Sequence, residues 1–147
     1  MTMGYRSEVA YKIRMNQNVL ANETDEEYKA KFKQFMMELK ANPETERALR
    51  DYEDEEYLKY AVKMGIDYDN CEISYHHEGL KWYPEYEGVK GHHAIMDHAI
   101  SWNNDEWEER FDVAYARAGE ETDDVEQEYW GPDPYGLLGI TVSIWTE

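Results

Sequence analysis

Residues 8–15, EVAYKIRM, decide the fold. Because successive side chains of a β-strand point to opposite faces, residues two apart share a face. Apolar side chains take one face and charged side chains most of the other: Val9, Tyr11, Ile13 and Met15 against Glu8, Lys12 and Arg14. The stretch therefore predicts a strand whose apolar face must be covered by other elements.

Helical patterns follow this strand. Residues 24–27, Thr-Asp-Glu-Glu, form a capping-box pattern, in which the threonine hydroxyl and the Glu27 side chain bond free backbone amides. Apolar residues then recur at helical spacing until about Asn42: Tyr28, Phe32, Phe35, Met36 and Leu39. Asn42-Pro43 predicts the start of a further helix, which the pattern continues through Leu58 and Val62 to a stop at Gly65.

The middle of the chain predicts a hairpin and then a helix. Residues 72–77 and 80–83 are rich in β-formers and flank Glu78-Gly79, which predicts two strands joined at that dipeptide. A helix is predicted from Pro84 onward. Its apolar stripe contains Val89, His92, His93, Met96 and Ile100.

Alternating segments close the chain. Residues 111–115 and 125–130 predict strands, and residues 140–144 predict another after the loop at 131–134. Strands and helices do not alternate as they do in a parallel doubly wound sheet. We therefore predict one α+β domain over residues 1–147, with a mostly antiparallel sheet of five to six strands and helices on one face. Ferredoxin-like and split βαβ folds have a related plan.

The charge of the chain is negative and unevenly distributed. There are 33 Asp and Glu against 15 Lys and Arg, giving a net charge of −18, and 13 of the acids lie in residues 105–147. Such a surface repels nucleic acid and anionic membranes and attracts basic surfaces. Direct nucleic-acid and membrane binding are therefore disfavoured. A single cysteine, Cys71, and the lack of a long apolar run predict a cytoplasmic protein.

All five histidines lie between His76 and His98. His93 and Asp97 share a helix face, and His77 on a strand could approach them, so these three residues are the candidate metal ligands. Their spacing matches no zinc motif. Because the same histidines fall within apolar patterns, core residues hydrogen-bonded to tyrosines or carbonyls are the favoured interpretation. We predict no metal and no cofactor.

No catalytic motif is present in the sequence. Ser7 and Ser74 could each combine with a histidine and an aspartate, but neither serine lies in a Gly-x-Ser-x-Gly elbow. The sequence also has no glycine-rich loop of the kind that binds a phosphate. With so many acids, a pair of carboxylates carries no information about acid–base catalysis. We therefore predict that the protein is not an enzyme.

The remaining functional signal is a row of acids. On a strand, residues two apart lie about 6.6–6.8 Å apart on one face. Duplex DNA carries one charge per about 1.7 Å of axis, so a carboxylate row can occupy a groove built for phosphates. The candidate partner-binding residues combine this row, an acidic run and one aromatic anchor: Asp123, Asp124, Glu126, Glu128, Glu53, Asp54, Glu55, Glu56 and Trp130. Simple solubility is the competing explanation.

Short motifs resemble a set of small bacteriophage and prophage proteins that has no agreed activity. They are Gly4-Tyr5-Arg6-Ser7-Glu8-Val9-Ala10, Leu80-Lys81-Trp82-Tyr83 and His92-His93. The resemblance implies a phage setting, in which small acidic proteins often look like DNA mimics that block host nucleases, restriction enzymes or CRISPR complexes. Residues 43–65 depart from the shorter connection associated with the set.

The sequence therefore favours a non-enzymatic inhibitor, of the anti-restriction or anti-CRISPR type, that acts in the host cytoplasm. Its partner would be a basic nucleic-acid-binding host protein. Two alternatives stay open. One is a metal-dependent enzyme using the histidine cluster, and the other is an oligomeric phage structural or scaffold protein, with a homodimer as its simplest form.

Overall fold

Five strands and three helices make up the described part of the chain. The computed structural model describes residues 7–18, 21–53, 62–80, 86–103, 110–119 and 124–131. In chain order the elements are β1 (Ser7–Met15), α1 (Asp25–Ala41), α2 (Pro43–Glu53), β2 (Val62–Asp67), β3 (Glu72–Leu80), α3 (Glu87–Trp102), β4 (Phe111–Gly119) and β5 (Val125–Trp130). The strand predicted at residues 140–144 lies outside the described residues. None of these helices is long and apolar enough to span a membrane.

β1 lies at the centre of one antiparallel sheet. The strand order is β2-β3-β1-β4-β5, and all four pairings among these strands are antiparallel. Tyr11 lies opposite Tyr75 of β3 and Tyr115 of β4, so three tyrosines form a row across the sheet. The predicted α+β class is confirmed. β1 and β2 are both antiparallel to β3, which lies between them, so β1, the helices α1 and α2, and β2 follow the split βαβ plan.

The apolar face of β1 carries the main core. The four alternating residues of this strand are at most 1% exposed. They pack beneath buried side chains of α1 and α3, which include Phe32, Phe35, Met36, Leu39, Val89, Ile95, Met96 and Ala99. The predicted capping box is also present, since Thr24 Oγ1 accepts from Glu27 N at 3.1 Å and Glu27 Oε1 accepts from Thr24 N at 3.0 Å.

Three predictions about the middle of the chain are wrong. The helix predicted to run to Gly65 ends at Glu53 within the described residues, and residues 62–67 form strand β2. The short apolar run at Val62, Met64 and Ile66 fits a strand period as well as a helical one, and pairing with β3 decides for the strand. The third helix begins at Glu87 rather than at Pro84.

The hairpin turn also lies elsewhere. β3 runs unbroken through Glu78-Gly79, and its turn to β2 occupies residues 68–71. Asp67 makes this turn, because its Oδ1 accepts from the backbone amides of Asp69 and Asn70 at 3.0 Å. Cys71 closes it with φ +54°. The thiol of Cys71 is buried, which raises its pKa and makes it a poor nucleophile.

A buried ion pair joins the start of α1 to the start of β4. Glu23 Oε1 lies 2.7 Å from Arg110 Nη1, and both side chains are at most 4% exposed. Glu23 Oε2 lies 2.8 Å from Lys31 Nζ without the geometry of an aligned hydrogen bond. Burial by itself would raise the pKa of Glu23, but the bond from Arg110 and the contact with Lys31 outweigh it and lower the pKa to about 2.

We expect Glu23→Gln to lower the free energy of unfolding by about 3 kcal/mol at pH 7, because Arg110 keeps its charge without a counter-ion. The depressed pKa means that this stabilisation is complete above the ordinary value of 4.5 and is lost as the pH falls towards 2. Urea titrations at several pH values measure the difference between the two proteins. Glu26→Gln, at an exposed position, is the control. A difference that stays constant down to pH 2 would contradict the assignment.

α2 and α3 are in close contact at Gly91. A Cβ atom at this position would lie 2.7 Å from the carbonyl oxygen of Glu44 and 2.9 Å from Ala48 Cβ. Glycine therefore permits an approach that a side chain would block. The contact fixes α3 against α2, and so sets the position of the α3 residues over the sheet.

Gly91→Ala should lower the free energy of unfolding by about 1–2 kcal/mol, because the clash with α2 exceeds the gain in helix propensity. Gly65→Ala is the matched control, since its Cβ would meet only Ser74 Oγ, at 3.2 Å. Chemical denaturation compares the two variants. Equal losses would show that the helices do not approach each other as closely as described.

Candidate functional site beside the fifth strand

Three of the predicted acids lie on or next to β5. Glu126 lies opposite Arg117 and Glu128 lies opposite Tyr115. Tyr115 belongs to the core beneath the helices, so these carboxylates are on the helix-bearing side of the sheet. Asp124 precedes the strand and points the same way, since it contacts Arg117. The strand period thus places the three carboxylates in one row.

Arg117 holds two carboxylates of this row. Its Nη2 lies 2.6 Å from Asp124 Oδ1 and 2.6 Å from Glu126 Oε1, and its Nη1 donates to Ser7 Oγ at 3.0 Å. The hydrogen bonds to Asp124 and Glu126 raise the pKa of Arg117. The Arg117 side chain is only 12% exposed, whereas Glu126 is 50% exposed. The guanidinium therefore fixes both carboxylates from below while Glu126 stays accessible.

α3 forms the side of this surface. The His93 ring lies 5.2 Å from the ring of Tyr115, and Asp97 is exposed one helical turn further on. Burial lowers the pKa of His93, although the charges of Asp97, Glu128 and Glu126 act in the opposite direction. Burial therefore favours the neutral form of His93, which does not compensate the charge of the acids.

Asp97, Asp124, Glu126 and Glu128 together form a surface that we call the acidic shelf. Residues 125–128 of β5 are exposed, so the described residues leave this part of the strand open. Trp130 lies at the end of the same face of β5, opposite Val113, and is partly buried against the main core. The described shelf is thus an open step between α3 and β5, with an indole at one end.

The other predicted binding residues are not brought to this surface by the described structure. Asp123 and residues 54–56 lie outside the described residues, and Glu53 ends α2 without a described side chain. Residues 105–109, the other acidic run, also lie outside. The described part of the predicted surface is therefore the row of acids beside and on β5.

Two histidines of the cluster belong to the core. The Tyr11 hydroxyl lies 2.6 Å from His92 Nδ1, and His92 is 1% exposed. The Tyr75 ring is 4.2 Å from the His92 ring, and the Tyr75 hydroxyl lies 3.4 Å from Nδ1 of buried His77. The favoured interpretation of these two residues, as core histidines bonded to tyrosines, fits this geometry.

The candidate metal ligands are not gathered in one place. His77 of β3 lies opposite Val9 of β1, whereas His93 of α3 packs on Tyr115 of β4. β1 therefore separates the strand that carries His77 from the strand that His93 contacts. Of the remaining histidines, His76 pairs with Glu8 and His98 with Glu38, each at 2.7 Å. Within the described ranges, no three His, Cys, Asp or Glu side chains are placed to hold a metal ion. The metal-dependent alternative thus gains no site from the described residues.

Arg117 is the site residue that sequence reasoning missed. It continues the alternation of Phe111, Val113 and Tyr115, so its side of the sheet was readable from the sequence. Its two acidic partners, Asp124 and Glu126, could not be predicted from the sequence, because the pairing register of β4 and β5 determines them.

No protein-family model matches the chain, and no curated protein or solved structure is significantly similar to it. Function has to be inferred from the residues of the shelf and their geometry.

The Tyr11–His92 contact should show as a coupling energy. In a double-mutant cycle with Tyr11→Phe and His92→Leu, we expect a coupling of about 1 kcal/mol or more, because both side chains are buried and share a hydrogen bond. Urea denaturation of the four proteins gives the value. Tyr28→Phe, whose hydroxyl donates to Met15 O at 2.6 Å, replaces Tyr11→Phe in the control cycle and should be additive with His92→Leu. Additivity in both cycles would contradict the contact.

Proposed function

We propose that the protein is a non-enzymatic inhibitor whose acidic shelf binds the basic nucleic-acid-binding surface of another protein. The observation that supports this proposal best is the row of Asp124, Glu126 and Glu128, with two of the three carboxylates fixed by Arg117. If these acids served only solubility, an arginine would not need to hold two of their carboxylates in place. The shelf would act as a surrogate for a run of phosphates.

The charge of the shelf suits this role. Its four carboxylates outnumber the single guanidinium of Arg117 beneath them, and burial favours the neutral form of His93, so the surface keeps a net negative charge. Within the described part of the chain, Glu128 makes no ion pair, and its side chain is exposed. A surface of one sign steers an oppositely charged partner and selects against acidic ones.

The spacing of the carboxylates along β5 also suits the role of a phosphate surrogate. Carboxylates two residues apart on β5 recur every 6.6–6.8 Å or so. One strand of duplex DNA presents a phosphate for every ~3.4 Å of axis. Because that strand also winds around the axis, successive phosphates lie farther apart than this rise, and their separation is comparable to that of the carboxylates. An Arg or Lys row built for DNA would therefore meet carboxylates at compatible intervals.

Fixing by Arg117 lowers the cost of binding. A free glutamate loses rotamer entropy when a partner holds it, by about 0.5–1.5 kcal/mol. Glu126 Oε1 is already held by Arg117, so that part of the loss is incurred on folding. A carboxylate accepts about four hydrogen bonds, and a second cation can still bind the outward oxygen of Glu126.

The proposed setting is a phage that infects bacteria. The motifs at residues 4–10, 80–83 and 92–93 suggest it, and the shelf gives such a protein a means of blocking a host restriction or CRISPR component. In that setting the protein works in the host cytoplasm and needs neither cofactor nor metal.

Glu126→Gln/Glu128→Gln should weaken binding of the target by at least about tenfold, and salt should weaken the wild-type complex. The immobilised protein captures proteins from a bacterial host lysate at low salt, and duplex DNA is then added as a competitor. We expect the wild type to retain a nucleic-acid-binding protein that the DNA displaces, and the variant to lose it.

The matched control is Glu26→Gln/Glu44→Gln, which removes the same two charges from exposed positions on α1 and α2. This control should retain the target as the wild type does. Equal loss in both double variants would mean that only net charge matters, and retention by the Glu126/Glu128 variant would remove the shelf from the proposal.

A further inference from the structure

α1 carries a row of side chains that point away from the core. Lys29, Lys33 and Met37 follow each other at intervals of four residues, and Lys40 lies one turn after Met37. Met37 is 63% exposed, an unusual position for a large apolar side chain. Lys29 lies 3.8 Å from exposed Asp69, whereas Lys33 and Lys40 make no ion pair with a described residue. We call Lys29, Lys33 and Met37 the α1 row.

The α1 row is complementary to β5 in order and in charge. On the helix it reads cation, cation and apolar side chain: Lys29, Lys33 and Met37. On the helix-bearing face of β5 the matching positions read anion, anion and aromatic side chain: Glu126, Glu128 and Trp130. A methionine sulfur against an aromatic ring is a favourable contact.

The two rows also agree in length. Four residues of helix rise about 6.0 Å, and two residues of strand rise about 6.6–6.8 Å. Three positions therefore span about 12 Å on the helix and about 13 Å on the strand. Flexible lysine side chains absorb a difference of this size.

The helix-bearing face of β5 is open in the part of the chain that the structure describes. Among the described residues, Glu126 and Glu128 are exposed on this face, and α3, whose His93 packs on Tyr115 of β4, is the described helix beside them. A helix laid beside α3 would continue the helix layer over β5, as helices do on one face of an α+β sheet. The α1 row belongs to the same molecule but lies on a different element, and only another copy can bring an α1 to that place.

We propose that α1 of a second copy of this chain docks on the acidic shelf, with Lys29 and Lys33 on Glu126 and Glu128 and with Met37 against Trp130. Because the α1 row and the shelf are different surfaces, repeated contacts generate rings or open chains of molecules, and the smallest ring is a two-fold dimer in which each copy gives its α1 to the shelf of the other. The proposal goes beyond inhibition of a partner and does not depend on it.

Self-repulsion does not prevent this contact at physiological salt. The Debye length is about 8 Å at 0.15 M, so the repulsion between the distant acids of two copies is screened, and ion pairs in contact are screened less. Docking would cover Glu126 and Glu128, so a copy in the assembly could not use its shelf for another partner.

The test is a charge exchange followed by mass measurement. Sedimentation at 0.15 M salt is run on the wild type, on Lys33→Glu, on Glu128→Lys and on the variant with both changes. We expect masses that rise with concentration for the wild type, and at least about tenfold weaker association for each single variant, because each creates a like-charge contact. The double variant should associate again, since it restores an opposite pair.

A mixture of the two single variants gives a second readout. In the mixture every favourable contact joins one copy of each variant, either through the two intact surfaces or through the two exchanged ones, so the mixture should associate in alternating order although neither variant does so alone. Lys90→Glu and Glu44→Lys, at exposed positions on α3 and α2, are the controls for the change in net charge and should associate as the wild type does.

Carbodiimide cross-linking locates the contact. In a mixture of isotope-labelled and unlabelled wild type, the expected product joins Lys33 of one copy to Glu128 of the other. A wild type that stays monomeric at all concentrations would overturn the proposal, as would single variants that associate normally or a double variant that fails to recover. Circular dichroism checks that every variant is folded.

Discussion

The burial of one face of β1 is the constraint on which the rest of the described structure depends. This strand has a neighbour on each side, and its apolar side chains need cover from α1 and α3. Tyr11 brings a hydroxyl into that buried layer, which requires a polar partner. His92 supplies one and ties the middle of α3 to the centre of the sheet. Once α3 is held there, its next residues, His93 and Asp97, fall beside β5.

Much of this fold could be predicted from the sequence, for reasons that differ between elements. The alternation in β1 and β4 and the capping box of α1 are local patterns, and local patterns specify these elements without help from the rest of the chain. β2 could not be predicted in this way. Its six residues are too few to separate a strand period from a helical one, and its identity depends on pairing with residues 72–77 of β3. The turn at Asp67 was missed because Glu78-Gly79 carries a stronger turn signal in the sequence.

The candidate site, like the fold, was predictable from the sequence only in part. Strand spacing alone places Glu126 and Glu128 on one face, so the row was predictable from sequence. The sequence could not predict that Arg117 holds two of these carboxylates, because the register of β4 and β5 sets that contact. The nearby position of His93 and the exposure of β5 depend on where α3 packs. The histidine cluster shows the opposite case. Nearness in sequence suggested a joint role, but the pleat and the sheet order send His76, His77, His92, His93 and His98 to different partners.

Segregation of charge has a further consequence for motion in solution. Among the described residues, Lys29 and Lys33 lie on α1 whereas Asp124, Glu126 and Glu128 lie beside or on β5, so these opposite charges are separated in space. Such a molecule has an electric dipole moment in addition to its net charge. In the field of a basic surface it experiences a torque that turns the acidic edge forward before any contact forms. A larger share of diffusional encounters then begins in an orientation from which binding can proceed, and the rate of association rises with no change in the contacts themselves.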